Sequence, residues 1–217
     1  MNTRLMHHGI KGQKWGVRRY QNKDGSLTAL GKARRNRPLD VNSMDRKEFL
    51  SLIKSGQDFV AKKGTELYRS TTEQYEATRG KKYVSVRKQD IATYEHFAQD
   101  LYGKEVYNST YGSTKNLKVA GLRTQAELFQ KLYGERGTKP VSQMTERELN
   151  SYLYDNPARY DLDILNRSMT NPDTKQYIDE LSKMGYDAVV DVVDFNIGYS
   201  DGPMVVLKSE DTMRRKS

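Results

Sequence analysis

Cysteine is absent from this sequence of 217 residues. Its absence excludes a disulfide framework, thiolate metal sites and cysteine nucleophiles. Long apolar runs are absent as well: the mean hydropathy is −0.88, and no apolar stretch approaches the roughly 20 residues of a transmembrane helix. The first residues also lack the apolar stretch of about 7–15 residues that a secretory signal contains. We therefore expect a chain that folds around its own core and does not associate with a membrane.

Histidine is scarce, with three residues in the chain. His7 and His8 are adjacent and His96 stands alone on a predicted helix, so none of them has the spacing of a metal site. The sequence also has no P-loop, no Rossmann glycine pattern and no Gly-x-Ser-x-Gly motif. We therefore expect no bound metal, and these common catalytic signatures are excluded.

Positive charge is concentrated at the start of the chain. Residues 1–37 contain ten lysines and arginines but one acid, Asp24, so they account for the whole formal net charge of +9. The same segment holds Trp15, the only tryptophan, and too few apolar residues for a helix. We predict a basic, flexible arm over residues 1–37 and a folded domain over residues 38–217. The arm is either a solvated tail or a segment that contacts a polyanion such as DNA.

The periodicity of the domain alternates between that of strands and that of helices, which predicts an α+β fold. The segment 122–184 is predicted as a helical insert, with a capping box at Thr145 and Glu148. Strands are predicted at 59–61, 66–71, 82–86, 105–111, 115–120, 187–194 and 204–207. Helices are predicted from Ser43 to Gly56, at 88–102 and 124–133, and from Thr145, Asn156 and Asn171.

One arginine lies at the end of a predicted strand, in the sequence Tyr68-Arg69-Ser70. The planar guanidinium group donates two parallel hydrogen bonds to a phosphate, so an arginine at this place suits phosphate binding. A solvated charge at a strand end explains the same residue. The arginine alone leaves both explanations open.

Several short pieces of the domain together resemble one family. They are residues 64–70, 83–85, 106–107, 117–119, 185–191 and 203–207, which read Gly-Thr-x-Leu-Tyr-Arg-Ser, Tyr-Val-Ser, Val-Tyr, Leu-Lys-Val, Gly-Tyr-Asp-Ala-Val-Val-Asp and Pro-Met-Val-Val-Leu. In this order they resemble the ADP-ribosyltransferase fold, most of all the versions encoded beside bacteriophage portal and head genes. The resemblance covers about residues 64–208. It implies an α+β domain with a split β-sheet core and a helical insert.

The start of the chain carries a second resemblance. Residues 8–22 read His-Gly-Ile-Lys-Gly-Gln-Lys-Trp-Gly-Val-Arg-Arg-Tyr-Gln-Asn, and Asp24–Thr28 and Gly31-Lys32 follow. This segment resembles one that is common at the ends of structural proteins of phages and prophages of Gram-positive bacteria. The resemblance implies phage head or portal proteins as partners. It also implies a location in the bacterial host cytoplasm or in the virion.

The resemblance to the transferases also implies a nucleotide site. In that family an arginine grips NAD, and a serine on a strand helps to hold the nicotinamide side. By position, Arg69, Ser70 and Tyr83 are the expected NAD-binding residues, and Ser85 is the expected catalytic serine. NAD would be the substrate that this site binds.

The family also has a glutamate near its last strands, whose carboxylate opposes the positive charge that develops on the ribose. Here the position just before the last strand holds Asp201. Asp191, Asp194 and Asp201 are therefore the candidates for the catalytic carboxylate. The shorter side chain of aspartate moves the charge by about 1.5 Å, a displacement large enough to lower catalysis.

Three functions remain open on this basis. The first is transfer of ADP-ribose from NAD to a host macromolecule, such as a host protein, by a virion- or head-associated enzyme. The alternative is a catalytically inactive structural or head-associated protein that acts by binding, and whose basic arm contacts DNA or the capsid. The third is a DNA-packing accessory protein in which the arm alone carries the function. A carboxylate that faces Arg69 and Ser85 across a cleft would favour the enzyme.

The predicted contact between the arm and DNA has a measurable salt dependence. If the arm neutralises about six phosphates of a duplex, the slope of log K against log salt is expected to be near −5. Removal of residues 1–37 is expected to abolish binding, because the charges of the remaining residues cancel. Fluorescence anisotropy with a labelled duplex measures both quantities, and equal binding by the truncated chain would contradict the prediction.

Overall fold

The structure is a computed structural model, and it describes residues 20–22, 26–74, 79–134, 137–154, 172–191, 194 and 200–216. The first 19 residues of the predicted arm lie outside the described residues, and so do the predicted helix starts at Asn156 and Asn171. The part that is described is a mixed α+β domain, which confirms the predicted class.

Nine strands of the described chain belong to one hydrogen-bonded sheet, where the resemblance implied a split sheet. The strands are β1 (Pro38–Leu39), β2 (Phe59–Ala61), β3 (Glu66–Thr71), β4 (Lys82–Ser85), β5 (Tyr107–Ser113), β6 (Leu117–Ala120), β7 (Ala188–Val190), β8 (Pro203–Val206) and β9 (Met213–Arg215). Their order across the sheet is β1-β2-β6-β7-β8-β4-β3-β5-β9. Strands β7 and β8 are buried along their whole length, as expected at the centre of a sheet that is covered on both faces.

Helices occupy the connections between the strands. They are α1 (Ala29–Arg34), α2 (Arg46–Lys54), α3 (Asp90–Tyr102), α4 (Leu122–Tyr133), α5 (Glu146–Tyr154), α6 (Pro172–Lys183) and α7 (Ser209–Thr212), with a 3-10 turn at Val141–Gln143. Helix α3 ends at Gly103, whose φ of 56° is the left-handed conformation that glycine adopts at low cost after a helix. This ending confirms the prediction made from the helix period.

The predicted helical insert is confirmed in its described part, because α4, α5 and α6 lie between β6 and β7. These two strands pair in parallel, with Val119 opposite Ala188 and Ala120 opposite Val189. Neighbouring parallel strands cannot be joined by a tight turn and need a crossover, which is usually helical. The strand that follows the insert is shorter than predicted, since the ladder covers Ala188–Val190 of the expected 187–194.

The domain begins earlier than the predicted boundary between Arg37 and Pro38. Helix α1 lies inside the predicted arm, and its Ala29, Leu30 and Ala33 are buried in the core. The helix starts at Thr28, whose hydroxyl accepts a hydrogen bond from the N–H of Gly31 (3.2 Å). Residues 29–37 contain four basic residues, which hide the apolar face of α1 in the sequence.

Two predicted helix starts give different outcomes. Asp45, and not Ser43, begins α2, because the Asp45 carboxylate accepts a hydrogen bond from the N–H of Glu48 (2.7 Å). The capping box of α5 is confirmed by two reciprocal hydrogen bonds between Thr145 and Glu148, at 2.8 and 3.2 Å. Lys139 donates a further hydrogen bond to Glu148, and these contacts lower the pKa of its carboxyl to about 2.

Aromatic residues of α2 and β2 fill the core beneath one end of the sheet. Phe49 is completely buried and meets the edge of the Phe59 ring, with the ring centroids 6.3 Å apart. Such an edge-to-face pair adds about 0.5–1.5 kcal/mol to the burial of the rings. Phe49 therefore holds α2 against the strand that carries Phe59.

Replacing Phe49 with alanine is expected to lower the free energy of unfolding by about 3–5 kcal/mol, because the change removes a buried ring and leaves a cavity. Met184 is the matched control, since 47% of it is exposed. Its replacement with alanine is expected to stay within about 0.5 kcal/mol. Urea denaturation of both variants measures the difference, and equal losses would contradict this description of the core.

Candidate functional site

The register of β3 and β4 decides which predicted site residues share a face of the sheet. Tyr68 lies directly opposite Ser85 in this antiparallel pair. Opposed residues project to the same face, and successive residues of a strand project to opposite faces. Ser85 therefore shares a face with Tyr68, and Arg69 projects to the other one. The sheet does not bring Arg69 and Ser85 to one face as the predicted NAD site requires.

Ser85 lies in a buried hydrogen-bond network and is 1% exposed. Its hydroxyl donates to Oδ2 of Asp90 (2.5 Å) and accepts from the N–H of Arg87 (2.9 Å). The hydroxyl of Ser200 donates to the same carboxylate oxygen at 2.5 Å. Both serines are therefore engaged within the protein interior.

Asp90 is the centre of this network, which we call the Asp90 node (Ser85, Asp90, Ser200, Asp201 and Gly202). Its Oδ2 also accepts hydrogen bonds from the N–H groups of Asp201 (3.0 Å) and Gly202 (3.2 Å). Four donors thus meet one oxygen of a carboxylate that is 4% exposed. Hydrogen bonds to an ionised acceptor are roughly twice as strong as neutral ones. The node joins the end of β4, the start of α3 and the segment before β8.

Gly202 allows the segment before β8 to lie close to the end of β4 at the node. A Cβ atom at this position would lie 2.7 Å from Cγ2 of Val86 and 2.8 Å from Cγ of Arg87. Both distances are shorter than a van der Waals contact, so a larger residue would push the segment before β8 away from β4. This explains the glycine that the sequence places immediately before a buried strand.

Arg87 extends the node toward α2. Its Nη1 donates to the carbonyl of Met44, its Nη2 donates to the carbonyl of Asp45 (3.1 Å), and the guanidinium carbon lies 5.0 Å from the centre of the Phe49 ring. Burial lowers the pKa of Arg87, and the negative charges of Asp90 and other nearby carboxylates oppose this effect. Arg87 therefore fixes the start of α2 against the sheet.

The predicted nucleotide-binding residues lie on the neighbouring strands β3 and β4. Arg69 is half-buried, and its Nη1 donates to the carbonyl of Tyr83 (3.0 Å). Ser70 points to the opposite face from Arg69, where its hydroxyl donates to Oδ1 of Asn108 (2.7 Å). Arg69 thus contacts the backbone of Tyr83, whereas the Ser70 hydroxyl pairs with β5.

The candidate carboxylates lie in two places. Asp191 is 3% exposed and accepts a hydrogen bond from the N–H of Asp194 (3.2 Å), while the Asp194 carboxylate accepts one from the hydroxyl of Tyr94. Burial raises the pKa of Tyr94, and the charge of Asp194 raises it further. Asp201 is paired with Arg46, whose Nε lies 2.6 Å from its Oδ2. Each of the three carboxylates therefore has an identified contact inside the domain.

Sequence reasoning missed Asp90 and Ser200, which complete the node. Asp90 reads as an ordinary acidic residue in the first turn of a helix, and Ser200 lies 110 residues away from it. The one available signal is the sequence Ser200-Asp201-Gly202-Pro203, in which small and polar residues directly precede a buried strand. Nothing in the local pattern pairs that segment with Asp90.

In the part of the chain that the structure describes, no group of three or more histidine, cysteine, aspartate or glutamate residues is placed to hold a metal ion. None of the described helices combines the length and the apolar character that crossing a membrane demands.

Replacing Asp90 with asparagine is expected to lower the free energy of unfolding by about 1–3 kcal/mol, because buried donors lose a charged acceptor. Asp100 on the same helix is the matched control, since its side chain is 60% exposed and pairs only with His96 among the described ion pairs. The control asparagine variant is expected to change stability by less than about 1 kcal/mol. Urea denaturation compares the two, and equal stabilities would show that the node is not a major support.

Comparison with known proteins gives one family match. Residues 1–22 match a family described as "Family of unknown function (DUF7211)". The matched residues lie at the start of the predicted arm and end at the first described residues of the domain. No curated protein matches the chain, and no solved structure matches it. A proposal for the function of the domain therefore depends mainly on the contacts among its own residues.

Proposed function

We propose that the chain is a phage-encoded protein with an ADP-ribosyltransferase-like domain, and that it acts in the phage head or virion by binding rather than by transferring ADP-ribose. In this proposal the basic N-terminal segment contacts DNA. Phage head or portal proteins are the neighbours that the resemblance of that segment suggests.

The arrangement of the strands supports the family part of the proposal. The pieces of sequence that resemble the transferases lie largely on β3, β4, β7 and β8, and these four strands are consecutive neighbours in the order β7-β8-β4-β3. Residues from two distant parts of the chain, 66–85 and 188–206, thus lie side by side at the centre of the sheet. A shared fold would produce this adjacency.

The burial of Ser85 is the observation that favours binding over transfer. A serine that holds the nicotinamide side of NAD has to be accessible, whereas this serine is 1% exposed and hydrogen bonded to Asp90. The carboxylate expected before the last strand belongs to Asp201, which pairs with Arg46 at 2.6 Å. Both groups stabilise the domain in positions where an enzyme would need them free for substrate.

Transfer of ADP-ribose is the second candidate, and one contact favours it. The guanidinium of Arg69 donates to the backbone carbonyl of Tyr83, at 3.0 Å, so the arginine is held against the strand that carries Tyr83. A half-buried arginine held in this way is oriented before a phosphate arrives, which lowers the entropic cost of binding. In this case the transferred ADP-ribose would go to a host macromolecule.

A nicotinamide-release assay with the full chain separates the two candidates. With millimolar NAD, nicotinamide release is expected to stay at the background level, because Ser85 is buried and the Asp201 carboxylate is paired with Arg46. Release that exceeds the background and falls strongly in the Asp201→Asn variant would overturn the proposal, since the lost charge would act mainly in the transition state.

Calorimetric titration of NAD supplies the complementary measurement. If Arg69 holds the diphosphate, the Arg69→Lys variant is expected to bind NAD about tenfold more weakly, because lysine lacks the planar pair of donors. NAD binding without release identifies a domain that has kept nucleotide affinity and lost the reaction. The absence of heat at millimolar NAD removes the nucleotide from both candidates.

A further inference from the structure

Residues 20–22 and 26–28, which connect the N-terminal segment to α1, are hydrogen bonded to each other. Gln21 and Leu27 form an antiparallel bridge, and the N–H of Asn22 donates to the carbonyl of Ser26 (2.7 Å). The N–H of Thr28 donates to the carbonyl of Tyr20 (3.2 Å). These bonds close a small hairpin immediately before α1, so the described end of the N-terminal segment has a fixed position.

Gly31 brings this hairpin into direct contact with α1. A Cβ atom at Gly31 would lie 2.1 Å from the carbonyl oxygen of Tyr20, so any side chain there would collide with the hairpin backbone. The Tyr20 side chain packs against the core at the same place. Tyr20, the first described residue, therefore lies directly beside α1.

Basic residues occupy the solvent side of α1 and the turn that follows it. Lys32, Arg35 and Arg37 are exposed, whereas Ala29 and Ala33 face the core. The N–H groups of Arg35 and Arg37 both donate to the carbonyl of Lys32, each at 3.0 Å. These bonds hold the three cations within one compact turn of the backbone.

The turn owes its shape to Asn36, which has a positive φ of 52°. Asparagine tolerates this left-handed conformation better than most residues, so the turn ends the helix and directs Arg37 back toward it. Among the residues that the structure describes, no ion pair engages Lys32, Arg35 or Arg37. Three exposed cations that lie close together in sequence, with no described ion pair, give this part of the surface positive charge.

We infer that the α1 surface (Lys32, Arg35 and Arg37) binds the phosphate backbone of duplex DNA. This inference rests on the proposed binding function, and it assigns part of the DNA contact to the folded domain instead of to a free arm.

The chemistry of the surface suits phosphates. Lysine and arginine bind phosphate oxygens, and contacts to phosphate oxygens carry no sequence information. Duplex DNA presents one negative charge per roughly 1.7 Å of its axis, so several cations within one turn meet several phosphates at once. Binding is therefore expected to be independent of sequence and strongly dependent on salt.

The test uses charge-neutralising variants of the full chain, because α1 belongs to the core and a deletion of residues 1–37 would unfold part of the domain. The first variant combines Lys32→Gln, Arg35→Gln and Arg37→Gln. The matched control combines Lys104→Gln, Lys131→Gln and Lys175→Gln, three exposed lysines on other elements. Both variants lose the same charge, so a difference between them reports position and not net charge.

Fluorescence anisotropy with a labelled duplex is measured at several salt concentrations. The α1 variant is expected to flatten the slope of log K against log salt by about 2.7, the value for three phosphates, and to bind about tenfold or more weakly at low salt. The control is expected to change the slope by less than about 1. Circular dichroism checks that both variants fold. All six replaced side chains are exposed, so both variants are expected to fold.

The outcomes separate the inference from the function on which it rests. If the unaltered chain binds no duplex DNA, the proposed DNA contact fails and the inference fails with it. If the unaltered chain binds but the α1 variant and the control behave alike, only the assignment of the α1 surface is overturned. If the α1 surface and the N-terminal segment bind an acidic protein and not DNA, the unaltered chain binds no duplex DNA, which is the first of these outcomes.

Discussion

One buried carboxylate oxygen, Oδ2 of Asp90, connects parts of the domain that lie more than 100 residues apart in sequence. Removing a charge from water costs several kcal/mol, and the cost is offset only when strong hydrogen bonds surround the charge. The four donors that meet this oxygen come from the end of β4 and from the segment before β8, while the carboxylate belongs to the first turn of α3. The centre of the sheet and the position of α3 therefore depend on the same atom.

The network around Asp90 encloses Ser85, the serine that the sequence resemblance predicts to be catalytic. A strand alternates its side chains with a period of two, so the register of one pair decides which residues share a face. Because Tyr68 lies opposite Ser85, the neighbouring Arg69 projects away from the node. A register shifted by one residue would bring the arginine and the serine together.

Local patterns predicted the elements that depend on local chemistry. The strand at Glu66–Thr71, the left-handed ending at Gly103 and the capping box at Thr145 all follow from nearby residues. Helix α1 and the edge strand β9 were missed because their many charges obscure a short apolar face. The node could not be predicted, since it joins segments more than 100 residues apart through polar groups that have no periodic signal.

The two outermost strands of the sheet have consequences for how neighbouring copies of the protein interact. An exposed edge offers unpaired N–H and C=O groups to a strand of another molecule, which promotes aggregation. Here β1 has two residues and begins with Pro38, which has no N–H to donate, and β9 has three residues and exposes Arg214 and Arg215. Short length, proline and repulsive charge all oppose edge-to-edge pairing. A crowded array of such domains would therefore keep its sheets separate.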